Sequence, residues 1–170
     1  GVLNSLKGSA RLGKSNWCIL ESDESDGSFV KLPPTYSVIT NIDREHIEYY
    51  KSFKNLKDKF LAFVDKIPSF GKSFICIDDE NNKNLIKKIK NKNFYTYGVN
   101  TKSHFQIKNI QLNKDISIFD LEIKLKGKIK TIIKKIKIPL LGLHNIQNAA
   151  AAAAVSFNIG ISKDIIKNSL

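Results

Sequence analysis

Short apolar runs alternate with segments of helical period along the first part of the chain, and period-two stretches take over afterwards. Trp17-Cys18-Ile19-Leu20, Tyr36-Ser-Val-Ile-Thr-Asn41, Ser73-Phe-Ile-Cys-Ile77 and Phe94-Tyr-Thr-Tyr97 read as buried strands. Between the second and third, Phe53, Leu56, Phe60, Leu61, Phe63 and Val64 recur at helical spacing, and Pro68 and Gly71 end that helix. Between the third and fourth, Asp78-Asp79-Glu80 suits a helix N-terminus ahead of the Leu and Ile spacing in 84–89. The alternation predicts an α/β fold, a mostly parallel sheet flanked by helices. From His104 onward, 105–107, 116–125 and 129–138 alternate with period two, with a turn at Lys126-Gly127. They predict a small antiparallel sheet around 104–138 with one solvated, lysine-lined face. Ala149 to Ala154 predicts a helix that starts near Asn145 and closes at Gly160, and Ser162 caps a last one.

Composition narrows the class. The chain has 170 residues, 42% hydrophobic and 26% charged, which suits one soluble globular domain. It holds no apolar run of about 18 residues and no secretory signal, so no membrane partner is expected. Cys18 and Cys76 both lie in strand-like runs and read as buried free thiols of a reducing, cytoplasmic compartment. Twenty-eight basic against 16 acidic residues give a net charge of +12, which raises a nucleic-acid-binding module as an alternative. The excess is dispersed lysine, however, and Arg11 and Arg44 are the only arginines, so no nucleic-acid partner is expected. With no methionine and an opening of Gly1-Val-Leu-Asn, the chain reads as a piece of a longer protein.

The candidate chemistry sits at strand ends. Glu21, Asp23, Glu24 and Asp26 follow the first apolar run directly. Carboxylates at the carboxyl end of a strand suit a hard cation and the phosphates it carries. The same run also suits a solvated loop that caps a helix, and alone it does not choose. His46 follows the second strand and would neighbour Glu21 if the two strands were adjacent and parallel. Gly8-Ser-Ala-Arg-Leu-Gly13-Lys14-Ser15 has the spacing of a phosphate loop, but it precedes a strand instead of opening a helix. Asn145 stands where the alanine helix starts, as a cap or beside a bound anion or nucleotide.

Three motifs carry a resemblance. Glu21-Ser-Asp-Glu-Ser-Asp-Gly-Ser-Phe29 resembles the Glu-Ala-Asp-Glu-Ser-Asp-x-Ser-Phe signature of the alanine-adding branch of the Mur ligase family. Thr40-Asn-Ile-Asp-Arg-Glu-His46 looks like that branch's Thr-Asn-Ile-x-x-Asp-His, and Gly142-Leu-His-Asn-Ile-Gln-Asn148-Ala is similar to the family's His-Asn-x-x-Asn-Ala. The resemblance spans essentially the whole chain. It implies a phosphate-loop, Rossmann-like central ATP-binding domain, with the phosphate loop upstream of residue 1 and an amino-acid-binding domain beyond Leu170. It implies ATP and Mg²⁺ as cofactors and UDP-N-acetylmuramate and L-alanine as substrates, joined through an acyl phosphate in peptidoglycan precursor synthesis. By the same resemblance, Glu21 and His46 are catalytic metal ligands. Asn145, Asn148 and His144 meet the nucleotide, and Asn41 and Arg11 belong to the nucleotide-sugar side. Asp23, Glu24 and Asp26 fall to loop capping or an outer position. Glu45 and Ser22 depart from the family's Asp and Ala. Phe60 stands where other Mur ligases carry a carbamylated lysine, which the alanine-adding branch also lacks. Ser25, where a murein-peptide ligase usually has Tyr, favours the alanine-adding branch. Retention of Glu21 and His46 argues against a non-catalytic relative.

Overall fold

The computed structural model describes residues 9–125 and 127–170. It contains one six-stranded sheet in sequential order: β1 Tyr36–Ile39, β2 Lys72–Cys76, β3 Phe94–Gly98, β4 Phe105–Asn113, β5 Ile116–Leu125 and β6 Lys128–Ile138. β1, β2, β3 and β4 pair in parallel, and β4, β5 and β6 antiparallel. The expected antiparallel sheet is therefore not separate. Tyr97↔Phe105 and Gly98↔Gln106 join it to the parallel strands. Because the overlap is confined to the tip of β3, residues 99–104 suffice as a connection where a full parallel pair needs about a dozen.

Helices cover both faces. α1 Ile47–Tyr50, α2 Phe53–Asp65 and α3 Glu80–Ile86 follow β1 and β2, while α4 Leu143–Asn158 and α5 Lys163–Ser169 close the chain. Alternation along β2 sends Ile75 into a core with Leu56, Phe63, Val64 and Leu85, and Phe74 and Cys76 into the opposite one. In that second core Phe74, Tyr97, Phe105 and Phe119 meet Ala150, Ala153 and Ala154 of α4. Side chains this small let the helix backbone approach the sheet closely. Ser52, Asp79 and Ser162 cap α2, α3 and α5 through Asn55, Asn82 and Ile165 N–H groups, as the sequence suggested for the last two. Among the described residues no helix is long and apolar enough to cross a membrane.

One expected strand does not form. Trp17 to Leu20 is assigned no strand, and Ile19 is 92% exposed. A strand exists only where a neighbour completes its hydrogen-bond ladder, and no described strand pairs with this run. Trp17 instead rests against Tyr36, ring centroids 5.7 Å apart. Cys18 is accordingly exposed, contrary to expectation, while Cys76 is buried. Residues 9–16 likewise contain no helix or strand, and Gly8 lies outside the described residues.

The registers of the antiparallel strands shift at three places: β4–β5 between Lys108 and Gln111, and β5–β6 between Phe119 and Leu121 and again between Ile123 and Lys124. Asn109 and Lys135, at φ 52° and 54°, are the left-handed residues of the first two bulges. Asp120 faces both: its carboxylate accepts from Asn109 Nδ2 at 2.8 Å and from Lys135 N–H at 2.7 Å. A single carboxylate thus fixes the register of three strands. Asp120→Ala should cost about 1 kcal/mol in urea unfolding, the scale of hydrogen bonds lost at a partly exposed site.

At the start of β4, His104 Nδ1 accepts the Thr96 N–H at 3.1 Å and lies 2.8 Å from Thr96 Oγ1. Burial lowers its pKa from 6.5. The unfolded chain therefore takes up a proton that the folded one refuses. The stabilisation is complete above about pH 6.5 and is lost as pH falls from there through the lower folded value. His104→Asn should flatten the decline of Tm between pH 7 and pH 5, measured against the parent.

Candidate functional site

The motif residues gather beyond the carboxyl ends of the parallel strands. β1 gives way to 40–46, which is held from beneath by α3: Asn82 Nδ2 donates to Thr40 O at 3.1 Å and to Cys76 O at 3.0 Å, and Asn81 Nδ2 donates to Ile42 O at 2.9 Å. Fully buried Asn82 thereby fastens the ends of β1 and β2 together. Nothing in the sequence pattern marked it. The segment ends at His46, which has φ 54° and stands at the N-terminus of α1. Histidine is among the residues that tolerate this left-handed conformation, and it is common where a side chain must be aimed.

Three carboxylates surround the imidazole. Glu24 Oε1 and Glu45 Oε2 each lie 4.0 Å from His46 Nε2, and Glu48 Oε1 lies 3.8 Å from Nδ1. One ligand atom from each of Glu24, Glu45 and His46 can be chosen so that all lie within 4.8 Å of one another. Two carboxylates and an imidazole form a donor set that fits a divalent cation such as Mg²⁺ or Mn²⁺. The structure thus brings His46 together with Glu24, for which the resemblance implies loop capping or an outer position, and with Glu45, which stands in the place of the family's Asp. Glu21 is exposed and stands outside this group of three. Its expected approach to His46 depended on the strand at 17–20, which is absent.

The other acids of the loop serve its shape. Asp23 accepts from Ser25 N–H at 2.6 Å and Asp26 from Ser28 N–H at 2.8 Å, and these hydrogen bonds lower both pKa values. Gly27, at φ 66°, sits under the Tyr49 ring, where an added Cβ would fall 2.9 Å from a ring carbon. Phe60, on α2, stacks on Phe29 with centroids 5.0 Å apart, so that place belongs to the core.

The third motif opens α4. Gly142 precedes the helix without a side-chain cap, so the first backbone N–H groups have no side-chain acceptor there. Asn145 does not cap; its Nδ2 donates back to Leu141 O at 2.8 Å. His144 and Asn148 are both exposed and lie one turn apart on one face. Between them Gln147 Nε2 donates to Asp78 Oδ2 at 2.7 Å, just past the end of β2. The same carboxylate accepts Val99 N–H at 2.8 Å and Asn100 N–H at 3.0 Å. Gly98 makes room for it, since a Cβ there would fall 2.5 Å from Asp78 Oδ2. Asn41 is exposed and donates to Asp43 Oδ2 at 2.5 Å, and Arg11 is exposed among residues without regular structure. The structure does not gather these two with His46 or with α4 through any hydrogen bond or ion pair among the described residues.

Comparison with known proteins places the fold in a family. The Mur ligase middle domain family matches residues 4–156. The whole chain is 62% identical to the UDP-N-acetylmuramate–L-alanine ligase of Pelagibacter ubique and spans 37% of that protein's length. In fold it is similar to the UDP-N-acetylmuramate-alanine ligase MurC of Thermotoga maritima, with a TM-score of 0.68 and 22% identity, over 87% of this chain and 31% of that one. It is likewise similar to a MurF ligase of Thermotoga maritima solved in complex with ADP, with a TM-score of 0.61 and 15% identity, over 79% of this chain and 30% of that one. Since that family model covers residues 4–156, the chain belongs to the Mur ligase family, as its middle domain.

Proposed function

We propose that this chain is the ATP-binding part of a longer ligase that joins L-alanine to UDP-N-acetylmuramate in peptidoglycan precursor synthesis. The observation that carries the reading is 62% identity over all 170 residues to a relative of that name. The muramate carboxylate attacks the γ-phosphorus of ATP, ADP leaves, and an acyl phosphate results. The alanine amine then attacks the acyl carbon, phosphate leaves with the C–O bond electrons, and the amine loses a proton. In this reading the phosphate loop and the amino-acid-binding domain are supplied outside residues 1–170, and the reaction runs in the cytoplasm.

His46, with Glu24 and Glu45 around it and Glu21 in the same loop, would hold Mg²⁺. When bound, the ion offsets the negative charge of the transferred phosphoryl group. The rest falls to this chain's own backbone and side chains. The uncapped first turn of α4 presents backbone N–H groups to an anion, and the exposed pair His144 and Asn148, with Asn145, flanks that place for the nucleotide. The ADP bound to the Thermotoga maritima MurF ligase supports a nucleotide in this fold. Asn41 and Arg11 are assigned to the nucleotide-sugar.

In the full-length protein, His46→Ala and Glu21→Ala should each reduce ADP release that depends on UDP-N-acetylmuramate and L-alanine by about 100-fold or more, the scale of losing several kcal/mol of charge stabilisation. Glu24→Ala should act in the same direction. Full activity in His46→Ala would overturn the metal assignment.

A further inference from the structure

We propose that Tyr50 is the positioning residue that holds Glu24 against His46 and so sets the divalent-cation affinity of this site. The inference rests on the cation reading above. It concerns a residue that touches neither the cation nor any substrate.

Glu24 and His46 come from separate segments, and a side chain one helical turn away joins them. Tyr49 and Tyr50 N–H groups donate to His46 O at 3.0 and 3.1 Å, so α1 is a single turn with His46 at one end and Tyr50 at the other. The Tyr50 hydroxyl donates to the backbone carbonyl of Glu24. The same carbonyl accepts Gly27 N–H at 3.1 Å, which closes the acidic loop into a turn. The backbone of Glu24 is thus fixed from within its own loop by Gly27 and from the helix by Tyr50.

Both ends of this link are anchored. The Tyr50 ring is 4% exposed and packs in the core with Phe29, Ile39 and Leu56. Its own carbonyl accepts Asn55 Nδ2 at 2.8 Å, which ties it to α2. Tyr49 meets Tyr50 edge to face at 4.9 Å and lies over Gly27, so the loop is touched at two points by the same turn. By contrast, the Glu24 side chain is 35% exposed. Backbone anchoring, more than side-chain packing, therefore fixes where its carboxylate stands. Phenylalanine at position 50 would keep the ring in the core and remove only the donation.

The test uses the full-length protein with ADP present, Mn²⁺ as the probe and electron paramagnetic resonance to count free ion. Tyr50→Phe should raise the Mn²⁺ dissociation constant about 2- to 10-fold, the equivalent of one hydrogen bond. The Mg²⁺ concentration for half-maximal ADP release should rise by a similar factor. At saturating Mg²⁺, kcat should stay within about twofold of the parent, because saturation restores the occupied site. Gly27→Ala, whose Cβ would drive the loop away from the Tyr49 ring of the same turn, should weaken Mn²⁺ binding in the same direction and serves if Tyr50→Phe does not fold. Unchanged Mn²⁺ affinity in Tyr50→Phe, with only a lowered Tm, would overturn the inference and leave Tyr50 as core packing. His46→Asn and Glu24→Gln separate the two levels. If they too leave Mn²⁺ binding unchanged, the cation reading itself fails; if they abolish it while Tyr50→Phe does not weaken it, only the positioning role fails.

Discussion

Three donors converge on the carboxylate of Asp78, and the relation between the sheet and the helix of the third motif depends on that convergence. Val99 and Asn100 N–H groups fix the exit from β3, and Gln147 fixes α4. The exit matters because β4 overlaps β3 only at its tip. Lys124 Nζ, which reaches Thr101 O at 3.2 Å and Gln106 Oε1 at 2.6 Å, supports the same connection from β5. A short parallel joint with few ladder bonds is thereby strengthened by side chains. The antiparallel half of the sheet then continues the parallel half as one surface on which α4 can lie.

The site follows a similar logic on the other side of the strand ends. Neither the acidic loop nor His46 belongs to a regular element of its own. One is closed by Asp23, Asp26 and Gly27, and the other is carried on a strained left-handed residue at the start of a single helical turn. What relates them is a buried tyrosine, Tyr50, while buried Asn82 holds the segment that leads to His46 from beneath. Charge is concentrated there in a chain that is otherwise strongly basic, and a cation would relieve the crowding of carboxylates around one imidazole.

Much of the fold was legible because local periodicity survives folding where each element has a partner. The strands at 36, 73 and 94, the helix over 53–65, the Asp79 and Ser162 caps and the alanine helix all appear near their expected places. The motifs also pointed to His46 and to the α4 N-terminus. The strand at 17–20 was misread because hydrophobicity records what a segment could bury, whereas a ladder needs a neighbour among the described strands. Glu24 was passed over because spacing along a loop does not say which carboxylate turns inward. The bulges at Asn109 and Lys135 were missed although Ile133-Lys-Lys-Ile136 breaks the alternation visibly.

By itself, then, the sequence determined most of the element types, the α/β layering and the family's motifs. Each of these depends on residue identity and on spacing within a segment. Only the tertiary structure decided that the hairpins extend the parallel sheet, that Asp120 and Asp78 lock distant backbone segments, and that Glu24 and Glu45 stand beside His46. Those are contacts between segments far apart in the chain. Their geometry is set by packing and hydrogen-bond satisfaction across the whole domain, to which local pattern is blind.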